Sequence, residues 1–262
     1  MNLDLTNKHA IVCGSTQGIG KAVAMELARM GANVVLVARN IDNLTATKSE
    51  LDTSKGQLHN VICADFSFPE DLKIKMEQYI TMHKEVDILV NNTGGPSGGP
   101  IVDAKTEDFI KTFSNHLLCN HILVQSVVES MKNKGSGRII NIISTSVKQP
   151  LKGLGVSNTI RAAVANWAKT LSLELAPFGI TVNNVLPGAT NTVRLSSLLQ
   201  AKALKTGHSI EFLKDEMIKE IPAGRFAEAH EIANAVAFLA SPAAAYINGV
   251  NIPVDGGRTG CL

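Results

Sequence analysis

The sequence predicts an α/β fold, a single domain over residues 1–262 built on a doubly wound parallel sheet of about seven strands with helices on both faces. Three observations predict it. Apolar runs of strand length alternate with helix-period segments along the whole chain, the pattern of repeated βαβ units. The composition is 45% hydrophobic but only 4% aromatic, the Val/Ile/Leu/Ala-rich profile of buried parallel strands under packed helices. The first apolar run then breaks into a glycine-rich turn, Gly14-Ser15-Thr16-Gln17-Gly18-Ile19-Gly20, which opens directly into a helical segment.

In chain order, strands are expected at 8–13, 33–38, 58–63, 86–91, 138–143, 181–186 and 250–254. Helices are expected near 18–30, 41–52, 69–83, 106–133, 157–176, 211–220 and 228–240. No linker or repeat separates them. In the first turn Gly14 permits the tight bend, while Gly18 and Gly20 let backbone amides and the helix N-terminus approach an anion without a Cβ in the way. A dinucleotide pyrophosphate suits such a turn in a Rossmann-like fold, although the spacing is GxxxGxG rather than GxGxxG. The second strand ends at Arg39. An acidic residue at this place grips a ribose 2′-OH and an arginine accommodates a 2′-phosphate, so Arg39 favours NADP(H) over NAD(H), with Gln17 adding no second cation. Ala64-Asp65-Phe66-Ser67 and Asn91-Asn92-Thr93-Gly94-Gly95-Pro96 follow the third and fourth strands, at the ends where open α/β sheets bind ligands. Asp65 could instead cap the next helix, though Ser67 is better placed for that. The run from Gly94 to Pro100, with four glycines and two prolines, is a shaped loop.

Composition excludes several classes. A formal net charge of +2 without a long basic run argues against nucleic acid. With no run of eighteen apolar residues and a polar start from Met1 to Lys8, neither a membrane span nor a signal peptide is expected. Cys13, Cys63, Cys119 and Cys261 are scattered without a CxxC, which predicts reduced thiols in a cytoplasmic protein and no metal site.

Several of these pieces, taken together and in order, resemble the short-chain dehydrogenase/reductase family, and within it the β-ketoacyl carrier-protein reductases. They are the turn at 14–20, Asp65, Asn91-Asn92-Thr93-Gly94 (the family usually has Ala third), Gly137-Arg138-Ile139-Ile140-Asn141, Pro187-Gly188 with Thr192, and Val254-Asp255-Gly256-Gly257. The resemblance implies a cofactor site formed by Gly14, Ser15, Thr16, Gln17, Gly18, Ile19, Gly20, Arg39, Asp65, Phe66, Asn92, Gly94, Pro187, Gly188 and Thr192. It also implies a proton-transferring Ser–Tyr–Lys set with an Asn on a nearby helix. Ser144 matches the serine. The tyrosine position is Ser157, the lysine position Arg161, and counting from Gly94 puts His116 in the asparagine column with Asn115 one place before it.

These departures change the chemistry. A phenol with a pKa near 10 can be tuned toward neutrality, whereas a serine hydroxyl is a far weaker acid and a guanidinium does not shuttle protons. Arg161 lies one helical turn from Ser157, where it could hydrogen-bond a ribose or an oxyanion. His116 and Lys148 are the replacement acids to consider, with water a third source, and neither Tyr79 nor Tyr246 is placed to restore the phenol. The stretch 191–222 corresponds to the family's mobile substrate lid, and the helices at 106–133 and 157–176 to its pairing surfaces, so a homodimer or homotetramer is expected. Two readings stay open: an NADP(H)-dependent reductase of a small-molecule or acyl-thioester carbonyl with an altered proton donor, and a nucleotide-binding sensor or inactive partner subunit without redox turnover. Dehydration or isomerisation in the same fold is a third.

Overall fold

The computed structural model describes residues 1–83 and 85–261. Seven parallel strands form one sheet in the order β3-β2-β1-β4-β5-β6-β7. They are β1 (His9–Cys13), β2 (Asn33–Ala38), β3 (Asn60–Cys63), β4 (Ile88–Asn91), β5 (Gly137–Ile142), β6 (Ile180–Pro187) and β7 (Asn251–Val254). The α-helices are α1 (Gly18–Arg29), α2 (Ile41–Ser49), α3 (Pro69–His83), α4 (Thr106–Phe113), α5 (Cys119–Lys134), α6 (Gly155–Leu175), α7 (Val193–Thr206), α8 (Ile210–Lys219) and α9 (Ala229–Ala240).

Strand alternation divides the core in two. Ala10, Val12, Leu36, Val90 and Ile140 point to the face covered by α1 and α9, through Val23, Leu27, Ile232 and Val236. Their neighbours Ile11, Val35, Leu89 and Ile139 point the other way, onto α3, α5 and α6, through Met76, Leu123 and Ala168. Both faces are therefore apolar, which is why the strands read as continuous hydrophobic runs rather than alternating ones. Strands are added outward in one direction from β1 to β3 and in the other from β4 to β7, so the crevice outside the C-terminal ends of β1 and β4 is the topological switch point where ligands bind.

Three features depart from the expected elements. The helix expected at 106–133 is interrupted by a π-helical turn over Ser114–Leu118, which lets the backbone re-aim between α4 and α5. α7 was not expected. Its N-terminus is capped by the Thr192 hydroxyl, which accepts from the Leu195 amide at 3.4 Å, and Leu195 and Leu199 pack with Leu213 of α8. Cys13 and Cys119 are buried and free, but Cys261 is exposed rather than a core thiol.

A row of asparagine side chains ties the C-terminal half of the sheet together. Asn91 Nδ2 donates to Asn141 Oδ1 at 2.8 Å, Asn141 Nδ2 to Asn184 Oδ1 at 2.9 Å, and Asn184 Nδ2 to Asn251 Oδ1 at 2.8 Å. The backbone register pairs these same residues strand to strand. The row lies just beneath the strand ends that carry the site.

Candidate active site

A cleft of about 480 Å³ runs along the C-terminal strand ends and gathers most of the residues expected from the sequence. Gly14, Thr16, Gln17, Gly18 and Ile19 form one wall, and Arg39, Asp65 and Phe66 close one end. Asn92 and Gly94 lie at the centre. Ser144, Ser157, Arg161, Pro187, Gly188 and Thr192 form the other end.

The glycine turn is held by close approach. Its first residue, Gly14, has φ +58°, and a Cβ there would meet Asn92 Nδ2 at 2.7 Å. A Cβ on Gly20 would stand 2.1 Å from the Gly14 carbonyl oxygen, so the helix could not start where it does. Asn92 closes this contact by donating from Nδ2 to the Cys13 carbonyl at 3.2 Å. Ser15 is fully buried and its hydroxyl donates to the Val37 carbonyl at 3.4 Å. Ser15 and Gly20 thus shape the turn from behind and do not line the cleft.

The shape suits a dinucleotide. A Cβ on Gly94 would meet no protein atom within 4 Å, because the space beside it is the cleft. Arg39 stands exposed at the end of β2 and, among the described residues, makes no ion pair, leaving its guanidinium available to a phosphate. Asp65 accepts from the Ser67 amide at 2.9 Å, a turn ahead of α3, while its residue still lines the cleft.

At the other end, Ser144 caps the 3₁₀ turn Thr145–Val147 by accepting from the Ser146 amide at 3.1 Å, so its own O–H is free to donate. Ser157 and Arg161 follow on successive turns of α6. Arg161 is 8% exposed and donates from Nη1 to the Ile143 carbonyl at 2.9 Å and from Nε to the Ser157 hydroxyl at 3.3 Å. Burial, with the Arg194 charge beside it, pushes the guanidinium down to about 10, so it remains charged at neutral pH. It is a fixed cation with no acid–base work to do there.

His116 is not on the cleft wall. It is buried behind Thr93, whose hydroxyl lies 2.6 Å from Nδ1. Burial, then the Arg161 charge, push it down to about 3 against an opposing pull from the Gly94 backbone, with the Arg194 charge adding least. His116 is therefore a neutral imidazole, and the structure corrects its expected use as a replacement acid at neutral pH. The π-helical turn instead brings Asn115 to the cleft. Lys148 does not line the cleft either. Two residues on the cleft wall were not among the expected site residues: Asn115, named only as the neighbour of His116, and Arg194. Arg194 donates from Nη2 to the Pro96 carbonyl and sits two residues past Thr192, where only an expected helix over this stretch would have aimed it inward.

Comparison with known proteins gives this geometry a setting. Residues 14–259 match the family described as enoyl-(acyl carrier protein) reductase. The NADPH-dependent reductase BacG of Bacillus subtilis is 30% identical over 254 residues, covering 97% of this chain and 98% of that one. The chain belongs to the short-chain dehydrogenase/reductase family. Among other members, the 3-oxoacyl-[acyl-carrier-protein] reductase FabG of Staphylococcus epidermidis is 34% identical over 96% of this chain and 98% of its own. The crystal structure of L-sorbose reductase from Gluconobacter frateurii, complexed with NADPH and L-sorbose, superposes with a TM-score of 0.93 at 31% identity, with full coverage of both chains. As a short-chain dehydrogenase/reductase the chain is an oxidoreductase. No helix among the described residues is long and apolar enough to cross a membrane.

Proposed function

We propose that this protein is a cytoplasmic, single-domain, NADP(H)-dependent carbonyl reductase in which water, held by Ser157, Asn115 and Arg161, is the proton source. The observation that supports it best is the convergence of Ser144, Ser157 and Arg161 on the cleft that also holds the glycine turn and Arg39. NADP(H), when bound, supplies or accepts the hydride. The turn from Gly14 to Gly20 would take the pyrophosphate, with Thr16, Gln17, Gly18 and Ile19 facing it and Ser15 and Gly20 setting its shape. Arg39 would take the 2′-phosphate, Asp65 and Phe66 the adenine end, Asn92 and Gly94 the middle, Thr192 the pyrophosphate opposite Gly18, and Pro187 and Gly188 the nicotinamide end. NADH, lacking the 2′-phosphate, leaves Arg39 without that contact and is the less favoured cofactor.

The residues around the carbonyl then have distinct tasks. Ser144 donates its O–H to the carbonyl oxygen. Arg161 stabilises the negative charge that develops there, as an oxyanion-hole donor does. Ser157 accepts from Arg161 Nε and so keeps its O–H directed away from the guanidinium, toward water or substrate. A serine is too weak an acid to give up this proton unaided, so the proton passes from water through it. α7 and α8 cover the substrate side as a lid, and the substrate is a small ketone or a 3-oxoacyl thioester.

The test is NADPH oxidation across ketones, aldehydes and β-ketoacyl thioesters. Arg161→Ala should lower kcat/KM on the order of 10²-fold, as loss of an oxyanion donor does, and Ser157→Ala should lower it less. If the natural protein turns over no carbonyl while Ser157→Tyr with Arg161→Lys gains turnover, the reductase reading fails and the protein is a nucleotide-binding member without redox chemistry.

A further inference from the structure

The substrate end of the cleft carries two guanidinium groups and no acid. A Cβ built on Gly95 would lie 3.4 Å from Arg161 Nη2 and 3.4 Å from Arg194 Nη2. Both nitrogens are equally close to one point, so they are separated by no more than twice that distance. Arg161 spends Nε and Nη1 on Ser157 and the end of β5, and its Nη2 has no hydrogen-bond partner among the described residues. Arg194 is exposed to solvent, and its guanidinium is held over the same spot by the Pro96 carbonyl. Neither arginine forms an ion pair among the described residues. The one carboxylate on the cleft wall is Asp65, which follows β3. Four strand spacings separate β3 from β5, roughly 19 Å, too far to neutralise either.

A buried guanidinium with a second, exposed one brought up to it is unfavourable unless something negative joins them. Burial lowers the proton affinity of both arginines, and Arg161 feels Arg194 directly. A carboxylate oxygen forms charge-assisted hydrogen bonds at about 2.7–2.9 Å, so one carboxylate can bridge two guanidinium nitrogens at this separation. Position decides whose anion it is. Arg194 leans on the loop from Gly94 to Pro100, across which Gly99 pairs with Leu154, three residues before Ser157. The pyrophosphate place at Gly18 faces Thr192 instead, whose Cγ2 stands 3.3 Å from a Cβ built there.

We propose that Arg161 and Arg194 clamp a carboxylate of the substrate, which makes this protein a reductase of oxo acids rather than of neutral ketones. The proposal rests on the reductase reading above and narrows it. Nη2 of Arg161 and the Arg194 fork take the carboxylate, and this fixes the neighbouring carbonyl under Ser144. Arg194 is a binding residue in this scheme and takes no part in proton transfer.

The experiment compares acids with their own methyl esters: a 2-oxo acid, a 3-oxo acid and 4-oxocyclohexanecarboxylate, each with NADPH. The natural protein should prefer acid over ester by at least about tenfold in kcat/KM, the size of one charge-assisted contact. In Arg194→Gln that ratio should collapse toward one through a raised KM for the acid, and Arg194→Lys should restore part of it. NADPH affinity, read by fluorescence titration, separates the two sources of anion. If Arg194→Gln loses NADPH affinity and keeps the acid preference, the arginine serves the cofactor phosphates and the clamp is overturned. Equal rates on acid and ester in the natural protein also overturn it and leave the reductase reading intact. If nothing is reduced, calorimetry of 4-oxocyclohexanecarboxylate with the NADP⁺-saturated protein decides. Binding that Arg194→Gln abolishes supports the clamp while the reductase reading fails, and absence of binding overturns the clamp.

Discussion

Protonating His116 would set a buried third positive charge near Arg161 and Arg194. An unfolded histidine titrates near 6.5, and in the folded protein His116 is pushed down to about 3. Between those two values the unfolded chain binds the extra proton and the folded one does not. The stabilisation is therefore complete above pH ~6.5 and is lost as the pH falls toward ~3, by up to about 1.4 kcal/mol per unit. Urea unfolding of the natural protein and of His116→Asn at pH 7.5 and 5 should show the difference. The natural protein should lose more stability on acidification than the variant. Parallel losses in the two would contradict the neutral imidazole. The same residue marks where the sequence ceases to be legible. Ser144, Ser157 and Arg161 were placed by the resemblance to the family's motif, whose spacing the strand β5 and the helix α6 keep. His116 and Asn115 exchange places on the cleft wall because the π-helical turn at Ser114–Leu118 adds a residue to the local repeat, and no pattern of apolar positions announces that.

The parallel strands were legible because their residues are buried on both sides and leave unbroken apolar runs, bounded by turns such as the one at Gly14. α7 was not, since its buried positions are only Leu195 and Leu199 and the rest of its surface meets solvent or cleft. The asparagine row is an element-scale feature with a measurable consequence. Asn141 is fully buried, donates to Asn184 and accepts from Asn91. Replacing it with Val orphans one donor and one acceptor in the dry interior, where each unsatisfied group costs about 1–3 kcal/mol. Asn141→Val should therefore unfold at lower urea by an amount equivalent to about 2–4 kcal/mol. The ends of β4 and β5 that carry Asn92 and Ser144 also lose their lateral tie, so activity should fall further than the unfolded fraction explains. A variant as stable as the natural protein would show that the row is incidental.

At the scale of the whole molecule, α4 poses a question that the chain alone does not answer. It is an eight-residue helix whose one buried residue is Thr112. Such a helix is marginal in water without tertiary packing. Yet Ile110 is 65% exposed and Phe113 40% exposed, with Val102 just before them and Leu118 just after also exposed. Trp167 does not add to this face. It is half-buried and packs against the chain's own core, with His121 edge-on to it at 6.3 Å. Exposed apolar side chains thus gather on and beside α4, and an apolar run of this kind on a short helix suits burial against a second copy. Light scattering at micromolar concentration should give two or four times the 27.9 kDa chain mass. Ile110→Glu with Phe113→Glu should shift the protein toward a single chain, because two carboxylates in an apolar contact are not compensated. Both side chains are solvent-facing in the protomer, so the fold itself should survive and circular dichroism should be unchanged. A natural protein that scatters as one chain would leave α4 without a partner.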